Sequence, residues 1–174
     1  MDFMSLVYQL IDLRSFSNLW YWIALAFTWS RAAHWILGVP WDMVQRARRV
    51  GGPAELDFQM LLRANLNRIG YISQVAGTAA VAIVSALLTS LAMLGFGYGV
   101  EFCQALFLIV FPMSLVGLMS LRMAHWIDAA GVEGAALHRA LAWHRVRVQA
   151  LGLVSIFITA MWGMLQNLNL SVLY

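Results

Sequence analysis

Four stretches of this chain are each apolar over roughly the 20 residues that an α-helix needs to cross a bilayer, and two arginine-bearing connections and a glycine-rich turn separate them. They run about 19–39, 72–94, 102–121 and 148–165, and only the first contains a charged side chain, Arg31. No water reaches the backbone inside lipid, so every N–H and C=O must be satisfied within the segment. Runs of this length therefore predict membrane-spanning α-helices. Composition agrees: 62% of the residues are hydrophobic and 11% are charged. That is too little charge to cover a water-soluble domain of this size. Several of the eight Trp stand at the ends of apolar runs, where interfacial aromatics collect.

The expected fold class is an all-α membrane protein with four transmembrane helices. Residues 1–16 are expected to form an N-terminal amphipathic segment lying in the interface, because Phe3, Leu6, Val7, Leu10 and Ile11 recur at helical spacing between polar residues. No basic n-region precedes them, so a removable signal peptide is not expected. Residues 17–174 hold the four-helix bundle. Pro112 is expected to kink the third span, and Gly95-Phe-Gly-Tyr-Gly99 to turn the chain between the second and third. Short cytoplasmic amphipathic helices are expected outside the bilayer. One is 54–68, with Pro53 at its start, acids early and arginines late, as the helix dipole favours.

All eleven basic residues are arginine, and nine of them fall in the connections on one side: Arg46, Arg48, Arg49, Arg63, Arg68, Arg122, Arg139, Arg145 and Arg147. The positive-inside rule then places those connections in the cytoplasm and both termini in the periplasm of a bacterial inner membrane. This distribution explains the net charge of +3 better than nucleic-acid binding does.

The first span ends Arg31-Ala-Ala-His34-Trp35-Ile36, and the third ends Arg122-Met-Ala-His125-Trp126-Ile127, five identities in six positions. A weaker match follows, Gln74-x-x-Gly77 against Gln149-x-x-Gly152. The pattern predicts two similar helical hairpins related by a pseudo-twofold axis along the membrane normal. Arg31, His34, Trp35, Arg122, His125 and Trp126 are accordingly the candidate ligand-binding residues. As ordinary interfacial residues, the arginines would reach the headgroups and the Trp would anchor. As a site, they would hold an anionic headgroup, or a haem b between His34 and His125. Arg31, some eight residues inside the end of its span, would cost about 2.5–3.5 kcal/mol to insert unless it snorkels or pairs. His138 and His144 are six apart, which does not suit metal ligation on one helix face, and they are expected to be solvated. The lone Cys103 allows neither an internal disulfide nor a cysteine-ligated cluster. No catalytic arrangement and no metal site is expected.

The segment Leu10-Ile-Asp-Leu-Arg14-Ser-Phe-Ser-Asn18-Leu-Trp-Tyr-Trp22-Ile, with His34-Trp-Ile-Leu-Gly38-Val-Pro40 and Arg46-Ala-Arg48-Arg49, resembles a family of small alphaproteobacterial integral membrane proteins. Some members carry the label "component of SufBCD complex". The resemblance implies a link to iron–sulfur assembly and supplies no catalytic residues. The expected function is that of a non-enzymatic accessory or assembly subunit of an energy-transducing membrane complex. Its partners would be membrane lipids and other integral membrane proteins or further copies of itself, without nucleic acid. A resident cofactor is not expected unless the haem reading holds.

Overall fold

The computed structural model describes residues 15–171 and is helical almost throughout. The expected amphipathic segment at 1–16 lies outside the described residues except for its last two. Ser15–Ser17 form a single 3-10 turn, after which α1 runs Leu19–His34. Asn18 starts it: its side-chain oxygen accepts the Trp20 N–H at 2.9 Å, satisfying one of the first-turn donors a helix leaves open.

Helix α1 stops five residues before the expected end of its span. Trp35–Ile36 (β1) and Val39–Pro40 (β2) fold back on each other as a minimal antiparallel hairpin. Its turn residues, Leu37 and Gly38, have φ of 51° and 77°, the paired left-handed conformation of the tightest hairpins. A Cβ on Gly38 would lie 2.9 Å from the Asn65 side chain, which also donates to the Gly38 carbonyl. Leu37 tolerates its backbone because its side chain is buried.

Helix α2, Trp41–Val50, which no sequence-based expectation placed, turns Val44 and Ala47 inward and Arg46, Arg48 and Arg49 outward. Gly51 and Gly52, both at positive φ, break the chain before Pro53. The structure then departs from expectation. The predicted amphipathic helix at 54–68 and the second span form one helix, α3, Pro53–Ala92. At 1.5 Å per residue its 40 residues extend about 60 Å. Gly70, at the junction of the two expected helices, costs about 1 kcal/mol in a helix interior, which does not break one this long. A π-helical turn at Met93–Gly97 ends it. Helix α4, Glu101–Ala130, continues through Pro112. It closes on Gly131 in the left-handed conformation, with the Val132 N–H reaching the Ile127 carbonyl, a glycine-capped helix end. Helix α5, Gly134–Ser171, completes the chain.

Three helical stretches, Pro53–Gly97, Glu101–Ala130 and Gly134–Leu168, are long and apolar enough to cross a membrane. With 16 residues, α1 is about 24 Å long, short of a hydrocarbon core of about 30 Å. Helix α3 packs along α4, α4 along α5, and α1 along α5. The expected hairpin of first and second spans is thus not a packed pair; α1 lies on the last helix. A twofold exchanging α1 with α4 and α3 with α5 carries the α1–α5 contact onto α4–α3. It also demands an α1–α3 contact to match α4–α5, and α1 packs on α5 in its place.

Two cores follow. The larger sits at the arginine-bearing end and joins the hairpin, α2, the start of α3, the end of α4 and the start of α5 through Ile36, Val39, Phe58, Leu62, Ile127 and Leu141. The smaller joins Leu25 and Trp29 of α1 to Val116 and Val148.

Candidate functional site

All ten described arginines belong to one end of the molecule, where α1 finishes, α2 lies, α3 starts, α4 finishes and α5 starts. At the opposite end, the Glu101 carboxylate accepts the Phe16 N–H at 2.9 Å. Gln104 is buried there: its amide donates to the Gly95 carbonyl at 2.8 Å, and its oxygen accepts from Trp162 and Gln166. Gly95 allows this closure, since a Cβ would stand 2.9 Å from the Gln104 backbone nitrogen.

The six residues picked out by the repeat do not form one cluster. Arg31 is exposed, three residues from the end of α1 rather than eight inside a span, with its guanidinium carbon 5.4 Å from the Trp35 ring centre. His34 faces Asp42 at 3.6 Å. His125 meets the Ser73 hydroxyl at 3.1 Å. The imidazoles therefore serve different neighbours, one on α2 and one on α3. The matched segments differ in backbone as well, because Trp35 is in a strand and Trp126 is within α4. Only the isoleucines play one role, Ile36 and Ile127 both entering the large core.

His138 and His144 are buried, not solvated. His138 stacks on Phe58 with ring centres 5.2 Å apart, and its Nε2 lies 3.0 Å from a Glu55 carboxylate oxygen. This pair ties α5 to the first turn of α3. His144 Nε2 lies 3.1 Å from the Ser120 hydroxyl. Both histidines point into helix contacts because α5 begins at Gly134, so positions read as a loop lie on a packed helix face. Arg145 is also partly internal: it donates to the Ala33 carbonyl and lies over the Trp41 ring at 4.6 Å. Among the described residues, no three His, Cys, Asp or Glu side chains gather as a metal site.

Two grooves flank the start of α5. One, of about 780 Å³, lies between α4 and α5, where Arg122 and Trp126 face Arg139, Trp143 and Arg147. On the other side of Arg139 and Trp143, a groove of about 800 Å³ is bordered by Arg48, Glu55 and His138. Of the expected site residues, Arg122 and Trp126 thus belong to a groove. Arg31, His34 and Trp35 do not line either. The partners of Arg122 carried a signal in the sequence: positions 139, 143 and 147 repeat every four residues, which aligns them on one helix face.

No family model, curated protein or solved structure matches this chain.

Proposed function

We propose that this chain is a four-span, non-enzymatic inner-membrane protein with both termini in the periplasm, acting as an accessory subunit that receives a partner helix along α3. Parity supports the fourth span. Ser17 donates to Asn167 at 3.2 Å, so the start of α1 and the end of α5 lie at one end of the molecule. If α3, α4 and α5 each cross, three crossings separate residue 53 from residue 168. The chain between residues 17 and 53 then supplies a fourth. Helix α1 does so by lying along α5: Phe16 is beside Gly163, Trp29 beside Gly152, and Ala33 beside Arg145. The aromatic start of α1 and the anchoring of its other end by the hairpin let a short helix bridge a locally thinned bilayer.

The observation that carries the accessory role is the open side of α3. Among the long helices α5 packs on α4 and also carries α1, whereas α3 packs on α4 and meets only the short α2 near its start. In its most apolar window only 11% of α3 is buried, against 28% for α5. Thr78, Ala79, Ala82, Ser85 and Ala86 are exposed and fall within about a third of the helix circumference. Small and hydroxyl side chains let helix backbones approach and hydrogen-bond in lipid, where no hydrophobic drive pulls helices together.

A photoreactive side chain placed at Ala82 in native membranes tests this. The expected product is an adduct with a different polypeptide. Adducts with lipid alone would sink the accessory role, and a dimer-sized adduct would replace it with self-association.

A further inference from the structure

We propose that the groove between α4 and α5 is a binding site for an anionic glycerophospholipid, holding the headgroup phosphate with Arg122, Arg139 and Arg147 and the upper acyl region against Trp126 and Trp143. The site is independent of what covers α3 and rests only on the chain lying in a membrane.

Charge is the first argument. No acidic residue borders this groove, although five carboxylates share the arginine-bearing end. Among the described residues, no arginine comes within 4.0 Å of a carboxylate, the ion pairs present being those of His34 and His138. Three arginines thus border one concavity that has no carboxylate in its walls. Arginine suits phosphate because its planar fork donates two parallel hydrogen bonds.

Depth is the second. Arg122 immediately follows the apolar stretch 102–121 of α4, and Arg147 immediately precedes the stretch 148–165 of α5. The two therefore mark the edge of the hydrocarbon layer on adjacent antiparallel helices, the level at which lipid phosphates lie. Arg139 is eight residues further out on α5, about 12 Å by helical rise. The groove thus runs from the hydrocarbon edge through the headgroup layer.

Chemistry of the wall is the third. Trp126 and Trp143 are half-exposed or more, which in water would waste apolar surface but suits the interface, where indole rings sit at the glycerol level. Met119 and Met123 line the same trough and adapt to a flexible chain. A volume of about 780 Å³ accommodates a headgroup with the first part of its chains. A soluble phosphate compound would use the arginines but not the tryptophans and methionines.

Native mass spectrometry of the purified protein, titrated with short-chain phosphatidylglycerol or phosphatidylcholine, provides the test. The wild-type protein should retain phosphatidylglycerol in preference to phosphatidylcholine. Replacing Arg122, Arg139 and Arg147 with Gln should weaken retention about a hundredfold, since one basic residue near an anionic lipid is worth about fivefold. Replacing Arg46, Arg48 and Arg49 with Gln removes the same charge elsewhere and should leave the preference intact. Equal losses in the two triple variants would overturn the site in favour of diffuse surface charge. Ala136→Trp, at an exposed position bordering the groove, keeps every charge and should also abolish the preference; normal retention in that variant would overturn the proposal even if the arginine variant fails to fold. Displacement of the lipid by millimolar inorganic phosphate would show that the groove takes a free anion, and would overturn it as well.

Discussion

At the residue scale, His138 shows what a burial pattern hides from sequence. Its neighbours Arg139 and Arg145 and the six-residue spacing to His144 describe a polar connection. In the structure its ring lies on Phe58 and its Nε2 faces Glu55. Phe58 itself is fully buried at the centre of the larger core. Phe58→Ala should therefore destabilise the arginine-bearing end by about 3–5 kcal/mol, the usual cost of emptying a large aromatic site. The measurement is the unfolding midpoint in detergent. His138→Ala should cost less, about 1–3 kcal/mol, by leaving the Glu55 carboxylate with Gln59 alone and Phe58 without its stacking ring. A null effect of Phe58→Ala would mean that this core does not hold the helix ends together. The sequence offered Phe58 only as one apolar position of an amphipathic helix. That Phe58 meets a histidine eighty residues away depends on how α3 and α5 pack, which period and charge do not encode.

At the element scale, the apolar runs located the three long apolar helices and the shorter α1, since backbone satisfaction in lipid leaves few alternatives. Their ends were less legible. Helix α3 absorbed the predicted amphipathic helix because nothing between Arg68 and Ile72 stops a helix. Helix α1 lost its last turns because Leu37-Gly38 forms a hairpin whose apolar residues are buried beneath α2 and α3. Which helix α1 would lie against was not readable, although Gly152 carried the clue. A Cβ at Gly152 would stand 2.7 Å from the Trp29 ring, and Trp29 is buried. Gly152→Leu should force α1 off α5 and destabilise the fold by about 1–3 kcal/mol or more, the cost of overpacking a filled contact. A disulfide between Ser17→Cys and Asn167→Cys in a Cys103→Ser background should form readily with Gly152 present and poorly in the Gly152→Leu variant. Equal cross-linking in both would show that Trp29 moves aside and that the glycine does not set the α1–α5 contact.

At the scale of the whole molecule, charge and topology make one statement. Among the described residues, arginine occurs at one end only, whereas Glu101 marks the other. Cytoplasmic retention of basic segments would orient such a molecule with α2 and the α4–α5 turn inside. The contact between Ser17 and Asn167 adds a constraint that charge alone does not supply, because it requires an even number of crossings between those residues. Single cysteines in the Cys103→Ser background separate the possibilities. An impermeant maleimide applied to intact spheroplasts should label Ser17→Cys and Asn167→Cys. It should reach Gln45→Cys and Asp128→Cys only after lysis. Labelling of all four before lysis would mean that α3 to α5 do not cross. Labelling of the last pair alone would invert the molecule and put the arginine-lined groove outside. Labelling of Asn167→Cys without Ser17→Cys would leave α1 uninserted, and α1 could not then lie along α5. The arrangement of helices and its placement in the bilayer thus stand or fall on one set of four positions.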